Sequence, residues 1–161
     1  MKELKIISII PARSKSKRIK HKNILKFKKK PLLAHSILHS LNSKFISRTI
    51  VSTDSEKYAK ISLNYGAEVP FLRPKKISSD KSTDLECFNH CLNYLKKNEG
   101  YVPDLIVHLR ATYPAREQNL IDNCINVMIK NKDAYLLKTI SKSNIPIEKM
   151  WFKDKNNSIF N

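Results

Sequence analysis

The sequence predicts an α/β fold in which a mostly parallel β-sheet carries helices on both faces. Short apolar runs alternate with segments whose apolar residues recur at helical spacing. This alternation implies right-handed crossovers, which make neighbouring strands parallel and place helices on both sides of the sheet. At 161 residues the chain has the length of one domain, and a domain of that size buries roughly 70% of its unfolded surface.

The predicted strands are short apolar runs bounded by turn residues. The first run ends at Pro11 and is typical of a central strand that is buried on both faces. The four runs lie at 6–10, 49–52, 105–109 and 134–140. Further extended pieces are predicted at 69–72 and in a hairpin formed by 151–152 and 159–160 around a turn-rich segment.

The first two predicted helices are recognised by their ends as well as by their apolar spacing. Pro31 suits the first position of a helix that ends at Asn42. The second helix spans 56–65, with Thr53 and Asp54 as candidate caps. Gly66 supplies the left-handed residue that closes it.

The third predicted helix opens with a capping box made by Thr83 and Glu86. Its predicted buried stripe has four members: Leu85, Phe88, Leu92 and Leu95. Three residues of this helix have metal-ligand spacing, namely Cys87, His90 and Cys91. Buried thiols are the favoured interpretation, because both cysteines flank the apolar stripe. A fourth helix is predicted at 119–129.

Positive charge is concentrated in the first third of the chain. The 31 Lys and Arg against 14 Asp and Glu give a net charge of +17, and the segment 4–53 holds thirteen basic residues and no acidic one. Such a surface attracts nucleic acid, anionic lipid or a nucleoside triphosphate. Several of these lysines are equally consistent with ordinary solvated surface: Lys26, Lys28, Lys29 and Lys30.

The amino-terminal apolar run is too short for an export signal or a membrane span. The three cysteines without such a signal are typical of a reducing compartment. We therefore expect a cytoplasmic protein that does not associate with membranes.

The loop after the first strand is crowded with side chains that suit phosphate: Arg13, Ser16, Lys17, Arg18, Lys22 and Asn23. Guanidinium groups bind phosphate through two hydrogen bonds, and ammonium groups act as point charges. Open α/β sheets bind ligands at the carboxyl ends of their strands, where this loop begins. The chain has two glycines and no glycine-rich nucleotide motif. The loop therefore predicts a polyphosphate site of another kind.

Several segments resemble, in order and spacing, those of the acylneuraminate cytidylyltransferases. They are IPAR at 10–13, SKR at 16–18, KN at 22–23, IVSTD at 50–54, YGAEVPFLRP at 65–74, Asp80 with STD at 82–84, LRATYPAR at 109–116, and Pro146, Lys149, Met150 and Trp151. The resemblance implies a Rossmann-like three-layer sandwich of the nucleotide-diphospho-sugar transferase type. Ketodeoxyoctonate cytidylyltransferases are the nearest rivals, although 82–84 and 110–116 look less like theirs.

The resemblance implies a magnesium-assisted reaction in which a nonulosonic acid attacks the α-phosphate of cytidine triphosphate (CTP) and pyrophosphate leaves. The product would serve the synthesis of cell-surface glycans such as lipopolysaccharide or capsule. The implied nucleotide site consists of Ala12, Arg13, Ser16, Lys22, Asn23, Arg73, Ser82 and Asp84. Arg110, Thr112 and Lys149 would face the sugar acid. Arg13 and Lys22 are the predicted catalytic residues, since they would stabilise charge on the leaving pyrophosphate.

The chain also departs from the family pattern. Lys15 stands where many relatives have glycine, and Arg110 stands where many have glutamine. The family's metal-binding aspartates and its dimerisation segment lie beyond position 161, so metal ligands are not assigned. We expect residues 1–161 to be the incomplete nucleotide-binding domain of a longer enzyme, homodimeric when whole.

Two alternatives of other classes stay open. One is a truncated remnant that folds without catalysing a reaction. The other is a basic nucleic-acid-binding domain, which the charge favours. Against it, the chain has no helix-turn-helix, zinc-finger or ribonucleoprotein motif.

Overall fold

The computed structural model describes residues 4–140 and the backbone of 152–153 and 159–160. The strands are β1 (Ile6–Pro11), β2 (Lys26–Phe27), β3 (Lys30–Pro31), β4 (Arg48–Ser52), β5 (Leu105–His108), β6 (Phe152–Lys153) and β7 (Ile159–Phe160). The α-helices are α1 (Leu32–Leu41), α2 (Glu56–Asn64), α3 (Asp84–Glu99) and α4 (Leu120–Lys130). Short 3-10 helices lie at Lys22–Ile24 and Lys75–Ile77.

The main sheet is parallel, as predicted, and has the strand order β4–β1–β5. In its register Ile9 of β1 lies beside Ile50 of β4 on one side and His108 of β5 on the other. β1 is therefore the central strand of the described sheet. The strands β2 and β3 form a separate antiparallel hairpin, and so do β6 and β7, which confirms the hairpin predicted near the end of the chain. Trp151 lies outside the described residues.

Alternate residues of β1 enter cores on opposite faces of the sheet. Ile7 and Ile9 pack with buried residues of α3. Ile10 packs with α1, α2 and the β4 residue Val51. This alternation on a doubly covered sheet is the predicted three-layer arrangement. No described helix is long and apolar enough to cross a bilayer.

α2 begins at Glu56, as predicted, but neither predicted cap, Thr53 nor Asp54, is its N-cap. Ser55 is the N-cap, and its side chain accepts a hydrogen bond from the Tyr58 amide. Asp54 instead uses both carboxylate oxygens on Ser14, in the loop after β1. Gly66 follows the helix with a φ of 88°, so the predicted left-handed closure is confirmed.

The capping box of α3 is confirmed, but its predicted stripe is only partly right. Thr83 and Glu86 make both reciprocal bonds. Leu95 is buried, whereas Leu85 is 64% exposed. The buried face is completed by Cys87 and Cys91, which are free thiols in the core, as the preferred interpretation held. Burial raises the pKa of the Cys91 thiol to about 12.

The strand predicted at 134–140 is wrong. This segment has no strand assignment, and its Tyr135, Leu136 and Ile140 side chains are almost fully exposed. Apolar residues favour a strand only when a neighbouring strand pairs with their backbone. The piece predicted at 69–72 makes only an isolated bridge, from Leu72 to Thr53.

Candidate functional site

A pocket of about 300 Å³ lies at the carboxyl ends of β1 and β5, where the loop after β1 meets the start of α3. The predicted site residues that line it are Arg13, Ser16, Lys22, Asn23, Arg73, Ser82, Asp84, Arg110 and Thr112. Ala12 does not line the pocket; it is fully buried in the core beneath it. Lys149 lies outside the described residues. Sequence segments far apart are thus gathered at the sheet edge where α/β proteins bind ligands.

Arg73 is the most deeply buried cation of the pocket. It is 6% exposed, and its main-chain N–H donates to the Thr53 carbonyl at 2.7 Å. Its Nε and Nη2 atoms are buried and have no hydrogen-bond partner within the described residues. A buried guanidinium with open donors is costly unless an anion pairs with it.

The loop that carries Arg13 and Lys22 is held by its own side chains. Asn23 is buried, and its Nδ2 donates to the Arg13 carbonyl oxygen at 3.0 Å. Lys17 forms an ion pair with Asp80, and this bond lowers the pKa of the Asp80 carboxyl. Lys15, the predicted departure from the family pattern on this loop, is exposed and does not line the pocket.

The opposite side of the pocket is built around Asp84. Its Oδ2 lies 2.9 Å from Arg110 Nη2 and 3.8 Å from His108 Nε2. Burial lowers the pKa of His108. Asp84 is thereby paired with Arg110, which was predicted to face the sugar acid, although the resemblance assigns Asp84 to the nucleotide site.

Arg116 shapes this side without lining the pocket. Its guanidinium donates to the carbonyl oxygens of Tyr113 and Arg110 at 2.6 and 2.9 Å, and to Ser36 Oγ at 3.0 Å. Ser36 Oγ in turn donates to the Arg110 carbonyl oxygen. These bonds fix the backbone from which the Arg110 side chain projects, a role that sequence reasoning left open.

Three lining residues with polar side chains were missed as site residues: Ser79, Thr83 and His108. His108 could have been predicted as a site residue, because it is the last residue of β5 and parallel sheets bind ligands at the carboxyl ends of their strands. Ser79 and Thr83 belong to a loop whose path depends on tertiary contacts.

The described residues do not form a magnesium site. They contain no group of three or more His, Cys, Asp or Glu residues placed to hold a metal ion. Asp84 is the one carboxylate among the described residues that lines the pocket, and it is paired with Arg110. The cysteine and histidine residues with metal spacing on α3 are likewise not grouped around a metal position in this part of the chain.

The fold and the pocket define an α/β protein with a cationic pocket at the carboxyl edge of its parallel sheet. The chain belongs to the cytidylyltransferase family, whose model matches residues 7–157. The family predicted from the sequence is thereby confirmed.

Two similar relatives have names that refer to different sugar acids. A pseudaminic acid cytidylyltransferase of Campylobacter jejuni subsp. jejuni serotype O:23/36 is 32% identical over 157 residues, covering 98% of this chain and 67% of the relative. An N-acylneuraminate cytidylyltransferase of Escherichia coli O18:K1:H7 is 35% identical over 142 residues, covering 88% of this chain and 32% of the relative.

Solved structures confirm the fold. A CMP-2-keto-3-deoxy-manno-octonic acid synthetase complexed with CTP superposes with a TM-score of 0.64 at 19% identity, covering 80% of this chain and 48% of that one. A cytidylyltransferase of Leptospira borgpetersenii gives a TM-score of 0.61 at 25% identity, covering 80% and 50%. The chain spans about half the length of these structures.

Proposed function

We propose that this chain binds CTP in the described pocket and forms the nucleotide-binding part of an enzyme that transfers cytidine monophosphate to a nonulosonic acid. Pyrophosphate is the second product. The observation that carries the proposal is Arg73, a buried guanidinium whose open Nε and Nη2 donors belong to a residue that lines the pocket.

The charge of the pocket supports a triphosphate as the ligand. Arg13, Lys22 and Arg73 line it together, and Asn23 adds a buried amide. The pocket's single carboxylate among the described residues, that of Asp84, lies on the opposite side with Arg110. An anion that reaches Arg73 therefore meets two further cations, and charge-assisted bonds to phosphate are the strong class of hydrogen bond.

In this proposal Arg13 and Lys22 act on the leaving group. Negative charge grows on pyrophosphate as the bond to the α-phosphorus breaks, so fixed cations beside it stabilise the transition state more than the ground state. Magnesium, which the family resemblance implies, would supply positive charge to the phosphates when bound. Because the described residues do not form its site, its protein ligands are not assigned.

The sugar acid is proposed from the opposite side of the pocket and from the names of the relatives, which act on pseudaminic and N-acylneuraminic acids. Arg110 is 70% exposed in its pair with Asp84. An exposed pair of this kind contributes about 0–1 kcal/mol, so a carboxylate that binds the guanidinium through two bonds can replace it. Thr112 lies beside it. We further propose that the product supplies cell-surface glycan synthesis in the cytoplasm.

Thermal unfolding with nucleotides tests the proposal. CTP with magnesium, at a hundredfold excess over its dissociation constant, should stabilise the chain by about 2.7 kcal/mol, or roughly 5–10 °C in melting temperature. Adenosine triphosphate should give a much smaller shift. Equal shifts with both nucleotides would indicate nonspecific binding of polyphosphate, and no shift with CTP would refute the proposal.

Arg73→Met is the matching variant, with Lys60→Met as its control because Lys60 is exposed on α2. Both variants lose one positive charge. Arg73→Met should abolish most of the CTP shift while its own melting temperature holds or rises, since replacing a buried charge by an apolar side chain is often neutral or stabilising. Lys60→Met should keep the full CTP shift.

A further inference from the structure

The amide group that joins Arg13 to Ser14 is held from both sides by distant side chains. Its carbonyl oxygen accepts a hydrogen bond from Asn23 Nδ2 at 3.0 Å. Its N–H donates to Asp54 Oδ1 at 2.7 Å, across 40 positions of sequence. Because a peptide unit is planar, fixing both of its polar atoms fixes the orientation of the whole unit.

We propose that Asp54 is a positioning residue that, together with Asn23, orients Arg13 toward the triphosphate. The inference rests on the proposed function, in which Arg13 is a phosphate ligand. Asp54 lies two residues after the end of β4, the strand that pairs with β1. The loop after β1 is thereby attached to a second strand at the residue that follows Arg13.

Other roles for Asp54 do not fit its contacts. Within residues 4–140 it forms no salt bridge, whereas Asp80 and Asp84 each pair with a cation. It does not cap α2, since Ser55 does. Both of its oxygens are used on Ser14, Oδ1 by the N–H and Oδ2 by the hydroxyl at 2.8 Å. A negative charge near a polyanion site is unfavourable in itself, so the advantage of Asp54 lies in these two bonds.

The first test needs no nucleotide. Hydrogen exchange of the Ser14 amide should be slow in the parent chain and at least about tenfold faster in Asp54→Ala, because the exchange rate reports local opening. Asp104→Ala is the matched control: its carboxylate accepts a 2.7 Å bond from the Lys5 amide, outside the pocket. It should leave Ser14 exchange unchanged. Equal Ser14 exchange in the parent chain and Asp54→Ala would overturn the proposal.

The second test asks whether Asp54 acts through Arg13. Calorimetric titration with CTP should show about tenfold weaker binding for Asp54→Ala, since a misplaced ligand loses its preorganisation. In an Arg13→Ala background the same substitution should change binding less than about twofold, because the two residues act as one unit. An undiminished tenfold loss in that background would mean that Asp54 has only a general structural role.

Asp54→Asn separates hydrogen bonding from charge. Its amide oxygen can still accept from the Ser14 N–H, and its amino group can donate to the Ser14 hydroxyl. CTP binding should therefore stay within about twofold of the parent chain, and a loss as large as that of Asp54→Ala would overturn the positioning role. If Asp54→Ala does not fold, Asp54→Ser, whose shorter side chain cannot hold both bonds, takes its place.

The two proposals fail differently. A parent chain that gives no heat with CTP would refute the proposed function, and with it the purpose assigned to Arg13. Ser14 exchange would still show whether Asp54 holds the loop. Normal CTP binding with unprotected Ser14 would refute only the role of Asp54.

Discussion

The two sides of the pocket differ in how firmly their side chains are held. On the nucleotide side Arg73 is buried, Asn23 is buried, and the Arg13 peptide is bonded at both ends. On the sugar-acid side Arg110 and Thr112 are exposed, and the Arg110 guanidinium contacts the half-buried Asp84. Preorganised donors lose little conformational entropy on binding, while exposed ones lose more. The side proposed to bind the nucleotide is therefore more preorganised, among the described residues, than the side proposed to bind the sugar acid.

The difference has its origin in the sheet. The nucleotide side grows from β1, which pairs with a strand on each side, and from the end of β4, where isolated bridges join Ile50 to Glu68 and Thr53 to Leu72. The sugar-acid side grows from β5, whose outer side faces an open groove rather than a strand within the described residues. β1 is held by backbone hydrogen bonds to strands on both sides, whereas β5 pairs on one side only within the described residues. An edge strand leaves backbone groups unpaired, so it holds the loop that follows it less firmly.

The largest expected effect is on the preorganised side. Lys22→Ala should lower turnover with CTP and a nonulosonic acid on the order of 100-fold, about 3 kcal/mol, because a fixed donor to the leaving group is lost. Steady-state kinetics measures it. Lys20→Ala is the control on the same loop, since Lys20 is exposed and does not line the pocket. Unchanged turnover in Lys22→Ala would remove that residue from its role.

Arg110→Gln tests the less ordered side. It should raise the Michaelis constant for the sugar acid about tenfold, because glutamine cannot make the bidentate contact with a carboxylate. The Michaelis constant for CTP should stay constant, and it serves as the internal control. An unchanged value for the sugar acid would show that Arg110 has another purpose, such as holding Asp84.

Thr83→Ala tests the capping box at the start of α3, the helix whose first residue is Asp84. Removing the capping box of α3 should lower the free energy of unfolding by about 1 kcal/mol, as measured by urea denaturation. Ser55→Ala should cost less, because Ser55 caps α2 through a single contact of 3.4 Å. If Thr83→Ala also weakens sugar-acid binding and not CTP binding, the position of Asp84 depends on this cap.

The smallest expected effect is a pH dependence shared by both sides. Burial lowers the pKa of His90, near Arg73, and of His108, which also faces Asp84, Arg110 and Arg116. The ordinary pKa of histidine is 6.5. Below that pH the unfolded chain binds protons that these folded histidines do not, so the free energy of unfolding decreases as the pH is lowered. Urea denaturation at pH 7.5 and 5.5 measures the loss. The loss of unfolding free energy between these two pH values should be smaller in His108→Gln than in the parent chain. An equal loss in both would show that His108 does not contribute to the pH dependence.

Local signals predicted most of the elements. The Thr83 and Glu86 box and the Gly66 closure depend on residues close together in sequence, and both are present. Pro31 precedes α1 as its N-cap, rather than being its first helical residue as predicted. The errors lie where partners are distant. Leu85 has the right spacing but faces solvent, because the position of α3 on the sheet decides which face is covered.

Residue types along the chain predicted the chemistry of the candidate site, through a cationic loop after the first strand and a family resemblance that named Arg73 and Asp84. The tertiary structure decided how those groups are used. It buried Arg73 with open donors, turned Asp84 to Arg110, and took Asp54 from its predicted cap to the Ser14 amide. The physical reason is that spacing along the chain predicts local hydrogen bonds, whereas a bond across 40 positions forms only when two strands lie side by side.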